Sequence, residues 1–189
     1  MTVIIFEGPD GVGKTEIARA LEKEIRISSL FPDEPWKTPI PYFRMGSQHE
    51  NWRKGRFKDA LEFDQTYISE FLAQTKFSVI IDRAYPSEFV YSHVYGRETN
   101  MEVLRSVDEK FASIGTVIIL LLRRDYSNSR PDEVVENSKL QALHDRYNEF
   151  ADNFTKCKVI RMYVDDYDNE LSKQIPFLMH KLQTLEAYR

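Results

Sequence analysis

Cysteine is almost missing from this chain: Cys157 is the single one in 189 residues. One thiol cannot close an intramolecular disulfide or build a cysteine zinc site, so both scaffolds are excluded. Cys157 is expected at the edge of a strand as a small hydrophobe. Glycine is scarce, with seven residues, and no repeat, low-complexity tract or linker is visible. No apolar run approaches the roughly 20 residues of a membrane span. The most apolar one, Val117 to Leu122, is far shorter. The first residues also lack a long apolar core of the signal-peptide kind, so no leader is expected and a reducing, cytoplasmic setting fits. Net charge is -4, which removes any global pull toward nucleic acid or acidic membranes and leaves room only for a local basic site.

What is present is an ordinary globular composition, 42% hydrophobic and 30% charged, at a length that suits one domain with a sizeable core. Val3-Ile4-Ile5-Phe6 reads as a short buried strand. Gly8-x-x-x-x-Gly13-Lys14-Thr15 follows, a complete phosphate-loop signature, and then a helix pattern through Ile17, Leu21 and Ile25. Such glycines let successive backbone N–H groups face one concavity, and the next helix adds its positive end there. Gly8, Asp10, Gly11, Val12, Gly13, Lys14 and Thr15 are therefore the expected ATP-binding residues. Lys14 would meet the outer phosphates and Thr15 would offer its hydroxyl to Mg²⁺.

The rest alternates strands and helices. Helices are expected near 13–29, 57–74, 84–93, 98–113, 137–153 and 169–188, and strands near 36–44, 77–82, 116–122 and 158–164. This predicts an α/β, three-layer P-loop kinase fold: a five-stranded parallel sheet flanked by helices, in one domain spanning 1–189. The segment at about 124–137 is the expected lid and carries Arg124 and Arg130. Residues 44–58 are dense in basic groups and include His49 and Trp52. That stretch reads equally as a solvated surface or as a contact for phosphate or DNA.

Strand 77–82 ends on Asp82, followed at once by Arg83. A carboxylate at that strand end lies beside the phosphate loop, so Thr15 and Asp82 are the expected metal residues. Phosphoryl transfer asks for charge compensation, alignment and exclusion of water. Arg83 and Arg44 can clamp an anionic acceptor, and Arg123, Arg124 or Arg130 can swing over the transferring group. Lys14, Asp82, Arg83, Arg124 and Arg130 form the expected catalytic set. No segment resembles the switch of a hydrolytic motor.

These residues resemble the thymidylate kinases. Ile5-Phe6-Glu7-Gly8-Pro9-Asp10-Gly11-Val12-Gly13-Lys14-Thr15 looks like that family's opening, Leu61-Glu62-Phe63 like its stacking segment, and Asp82-Arg83-Ala84-Tyr85 like its Asp-Arg-Tyr motif. The resemblance implies Asp10 near the sugar hydroxyl, Phe63 stacked on the base, Arg83 on the acceptor phosphate, and Tyr91 and Ser87 beside the substrate. The chain departs from the family at Phe43-Arg44-Met45-Gly46-Ser47 and at Asp64-Gln65-Thr66-Tyr67, where the base-reading arginine is missing and Gln65 is the replacement. Three readings stay open: a deoxynucleoside-monophosphate kinase, a kinase acting on a hydroxyl of a nucleoside or of a hydroxymethylated pyrimidine in DNA, and a nucleotide-binding regulatory module. A viral source and a homodimer through helix 57–74 are further expectations from the resemblance.

Overall fold

A computed structural model describes residues 3–27, 42–44, 58–75, 78–127 and 137–186. The strands are β1 (Val3–Glu7), β2 (Tyr42–Arg44), β3 (Val79–Asp82), β4 (Val117–Leu122) and β5 (Lys158–Tyr163). They form one parallel sheet in the order β2-β3-β1-β4-β5. The described helices are α1 (Lys14–Ile27), α2 (Lys58–Thr75), α3 (Tyr85–Val94), α4 (Met101–Ser113), α5 (Asn137–Glu149) and α6 (Leu171–Glu186). None of them is long and apolar enough to cross a membrane.

Sequence explains the layering. Every residue of β1, β3 and β4 is buried, as strands covered by helices on both faces require. β5 is half-covered and alternates its exposure, the mark of an edge. Asn100 caps α4 by accepting from the N–H groups of Glu102 and Val103 at 3.1 and 3.2 Å. Pro86 sits in the first turn of α3, where its missing N–H costs nothing. Asp108 of α4 is buried and accepts from the Tyr85 hydroxyl and from the Lys156 N–H, the latter at 2.8 Å, so it fastens α3 to the start of β5. Cys157 is buried beside this cluster, just ahead of β5, and burial pushes its thiol up to about 12.

Two spans differ from the sequence expectation. The helix expected over 137–153 is α-helical only to Glu149, and Phe150–Phe154 forms a widened π turn closed by the Thr155 N–H to the Phe150 carbonyl at 3.0 Å. That turn lets Phe150 and Phe154 both pack on Phe89, at 5.4 and 4.6 Å between ring centres. The second strand is described only over Tyr42–Arg44. Residues 36–41, the basic stretch 45–57 with His49 and Trp52, and lid residues 128–136 with Arg130 lie outside the described residues.

The sheet sets the site. Parallel pairing puts Phe6 opposite Asp82, Arg44 opposite Asp82, and Glu7 opposite Leu120. The C-terminal ends of β1, β3 and β4 therefore converge. Gly8 leaves β1 at φ +141°, and a Cβ there would stand 2.0 Å from the Leu121 carbonyl oxygen of β4. Only glycine fits that approach. Gly8→Ala is expected to destabilise the fold by about 3 kcal/mol or more, read as a lowered urea midpoint at unchanged slope; an unchanged midpoint would contradict the close approach.

Candidate active site

The loop from Gly8 to Gly13 turns through Gly11 (φ 77°) and Gly13 (φ 80°) into the N-terminus of α1. These left-handed angles bring N–H groups round to one side. Lys14 is buried, with its Nζ donating to the Pro9 carbonyl at 2.6 Å and standing 4.0 Å from Asp10. Burial and then the nearby Arg83 charge lower its pKa to about 7, against the pull of Asp10, Asp82 and Glu7.

Thr15 donates its hydroxyl to Asp82 Oδ2 at 2.5 Å. A hydroxyl and a carboxylate oxygen thus lie together at the mouth of the loop. The described residues hold no cluster of three or more histidine, cysteine or acidic groups that would grip a metal alone. Two hard oxygen ligands suit Mg²⁺, and Thr15 and Asp82 are the residues that would hold it.

Arg83 is the hub of a second polar cluster beside the loop. It holds a left-handed backbone, φ 68°, costing about 1 kcal/mol in a non-glycine residue. Its N–H donates to the Phe6 carbonyl at 3.0 Å, which locks the turn between β3 and α3. The guanidinium bonds Asp10 through Nη2 and donates through Nη1 to Ser87 at 3.1 Å and Tyr147 at 3.4 Å. It also lies 5.2 Å from the centre of the Tyr91 ring. Tyr91 in turn donates to Asp10 Oδ2 at 2.7 Å. Burial alone would raise the Asp10 pKa, but Arg83, Lys14 and the Tyr91 bond outweigh it and hold the carboxyl below its usual value.

Sequence reasoning passed over Glu7 and Tyr147. Glu7 is fully buried at the end of β1 and accepts from the Ala84 N–H at 2.6 Å, Ser87 at 2.7 Å and Tyr147 at 2.9 Å. Burial raises its pKa, opposed by Arg83 and these donors. An acid ending an otherwise apolar, two-face-buried strand was the available signal. Tyr147 had none, lying 140 positions from Glu7.

Of the expected site residues, the structure brings together Gly8, Asp10, Gly11, Val12, Gly13, Lys14, Thr15, Asp82, Arg83, Ser87 and Tyr91. Arg124 goes elsewhere: it forks onto Asp166 at 2.6 and 2.8 Å and stacks over Tyr163 at 4.2 Å, beside the turn between β5 and α6. Arg44 is placed by its backbone beside Asp82. The side chains of Arg44, Phe63 and Gln65 lie outside the described residues.

The chain matches no protein-family model and no curated protein sequence. Among solved structures it is similar to the YorR protein from Bacillus subtilis in complex with phosphorylated GDP, with TM-score 0.64 and 21% identity over 96% of this chain and 98% of that one. It is also similar to deoxyadenosine kinase from M. mycoides with bound dATP, with TM-score 0.52 and 19% identity over 96% and 99%. At these identities the likeness is one of fold, a P-loop nucleoside or nucleotide kinase fold.

Lys14 yields a pH prediction. Phosphate oxygens beside Nζ favour the charged ammonium and draw its pKa up from about 7. Above that pH, binding a polyphosphate therefore takes up a proton, and affinity falls as pH rises. Calorimetry with inorganic tripolyphosphate in buffers of different ionisation enthalpy is expected to show uptake at pH 8.5 that Lys14→Met removes. Affinity constant from pH 7 to 9 would refute the perturbed lysine.

Proposed function

We propose that the chain is a phosphotransferase moving a phosphoryl group from ATP, with Mg²⁺, to a deoxynucleoside monophosphate. The bond from Thr15 to Asp82 carries this reading. A hydroxyl acceptor needs a carboxylate base, whereas a phosphate acceptor is already a nucleophilic anion. The carboxylate that would serve as base, Asp82, is the one engaged with Thr15 on the metal side. On the acceptor side the cation Arg83 is preset by Asp10, Ser87 and Tyr147, and the one carboxylate beside it, Asp10, is engaged by Arg83 and Tyr91 and held below its usual pKa, a poor proton acceptor.

The residues take roles accordingly. The loop amides and Lys14 hold the donor phosphates. Thr15 and Asp82 would hold Mg²⁺, which neutralises donor phosphate charge when bound. Arg83 binds the acceptor phosphate, joined by Arg44 from the neighbouring strand. Asp10 and Tyr91 meet the sugar. By the resemblance to thymidylate kinases, Phe63 would stack on the base and Gln65 would pair with an amide edge of it. The nucleotides bound to the two structural neighbours support a nucleotide substrate here.

The deciding experiment is a transfer assay with ATP, Mg²⁺ and a panel of acceptors: thymidine, thymidine monophosphate, deoxyuridine monophosphate, deoxycytidine monophosphate and hydroxymethyl-pyrimidine DNA. Transfer to a monophosphate is expected, with Lys14→Ala lowering it by roughly 1,000-fold while the far-UV spectrum stays native. Transfer confined to the nucleoside or to DNA would overturn the acceptor assignment. Slow hydrolysis without transfer would instead identify a nucleotide-binding regulatory module.

A further inference from the structure

Glu7 is fully buried, and its hydrogen bonds have a direction. Oε1 accepts from the Ala84 N–H at 2.6 Å. Oε2 accepts from both the Ser87 and the Tyr147 hydroxyls, at 2.7 and 2.9 Å. Each hydroxyl owns one proton. Both protons are therefore spent on Oε2. The Ser87 and Tyr147 oxygens, 3.2 Å apart, offer only lone pairs to whatever lies beside them. What lies there is Nη1 of Arg83, 3.1 Å from Ser87 and 3.4 Å from Tyr147. A guanidinium only donates, so it can be held only by oxygens whose protons point away.

The chain of bonds thus runs one way, from Arg83 to the two hydroxyls and from them to Glu7. It needs an ionised carboxylate. A carboxyl proton on Oε2 would point at one of the hydroxyls and turn that hydroxyl's own proton toward Arg83. The Arg83 charge and the three donors favour the ionised form against burial. Asp10 holds Nη2 of the same guanidinium, so the two anchor points together fix its plane.

We propose that Glu7 is a positioning residue for the acceptor phosphate: its carboxylate orients the Ser87 and Tyr147 hydroxyls, and these fix the Arg83 guanidinium. This rests on the phosphotransferase reading and adds to it a residue that acts wholly through others. No proton is transferred along the relay, which sets direction alone. Glu7→Gln changes that direction at nearly constant size. Its amide oxygen still accepts from the Ala84 N–H, but its amide nitrogen donates to the hydroxyls where Oε2 accepted. Both hydroxyl protons then turn toward Arg83, which has nothing to accept them.

Two measurements test this. Neutron diffraction from deuterium-exchanged crystals of the full-length chain is expected to place the Ser87 and Tyr147 deuterons on the lines to Glu7 Oε2. A deuteron of either hydroxyl facing Arg83, or one on Glu7, would overturn the relay. This arm needs neither a variant nor turnover, so it judges the relay even if the wild type transfers phosphate to nothing. The second arm follows turnover with ATP, Mg²⁺ and the monophosphate that the wild type uses best. Glu7→Gln is expected to raise the acceptor KM by about tenfold or more and to leave the ATP KM within about threefold of wild type. Tyr147→Phe is expected to raise the acceptor KM by about fivefold alone, and by less than about twofold in the Glu7→Gln background, where the bond it removes is already lost. An acceptor KM within about twofold of wild type in Glu7→Gln, additive effects of the two substitutions, or equal changes in both KM values would make Glu7 a purely structural group and overturn the assignment. If Glu7→Gln does not fold, the neutron map and the KM split of Tyr147→Phe decide the question.

Discussion

A buried carboxylate governs the assembly. Glu7 has no exposure, and a carboxylate there must be hydrogen-bonded or it opposes folding. Its donors arrive from three places: the Ala84 backbone, Ser87 in the first turn of α3, and Tyr147 on α5. Satisfying one residue therefore dictates where two helices dock against the end of β1. Ser87 and Tyr147 then stand where they also receive the Arg83 guanidinium. The same side chains that make Glu7 tolerable aim the Arg83 guanidinium.

Charges alternate outward from there. Glu7 faces Arg83, Arg83 bonds Asp10, and Asp10 lies 4.0 Å from Lys14. Asp10 is held charged by the cations beside it, whereas burial opposes the charge of Glu7 and of Lys14 at the end of the row. A polyphosphate placed against Lys14 extends the alternation by one more negative member. Binding such an anion would continue a pattern already built into the fold.

How much of this was legible depends on distance along the chain. The phosphate loop, the strand before it and Asp82-Arg83 could be read because each is a local pattern with a local reason. The Thr15 to Asp82 bond spans 67 positions but joins two such patterns, so it too was foreseeable. Arg123 and Arg124 show the limit. They are adjacent, and neighbouring side chains at a strand end project to opposite sides. One therefore reaches the Gly11 loop and the other the Asp166 turn, a choice that composition cannot reveal. The π turn at Phe150–Phe154 escaped for a related reason: a single widened turn leaves the apolar spacing of a helix almost unchanged. Tyr147 was invisible because its meaning lies wholly in a long-range contact.

The contact between Gly8 and the Leu121 carbonyl also has a mechanical side. β4 is buried on both faces and paired along both edges, so it behaves as a rigid backstop. The loop leans on it backbone to backbone, with no side chain between to absorb displacement. The two halves of the site therefore differ in compliance. The phosphate loop rests on a bed that cannot give way, while the Arg83 cluster rests on α3 and α5, held through side-chain hydroxyls that can re-form their bonds after small shifts. Small adjustments of the site therefore fall on those helices, and constancy of the loop falls on the sheet.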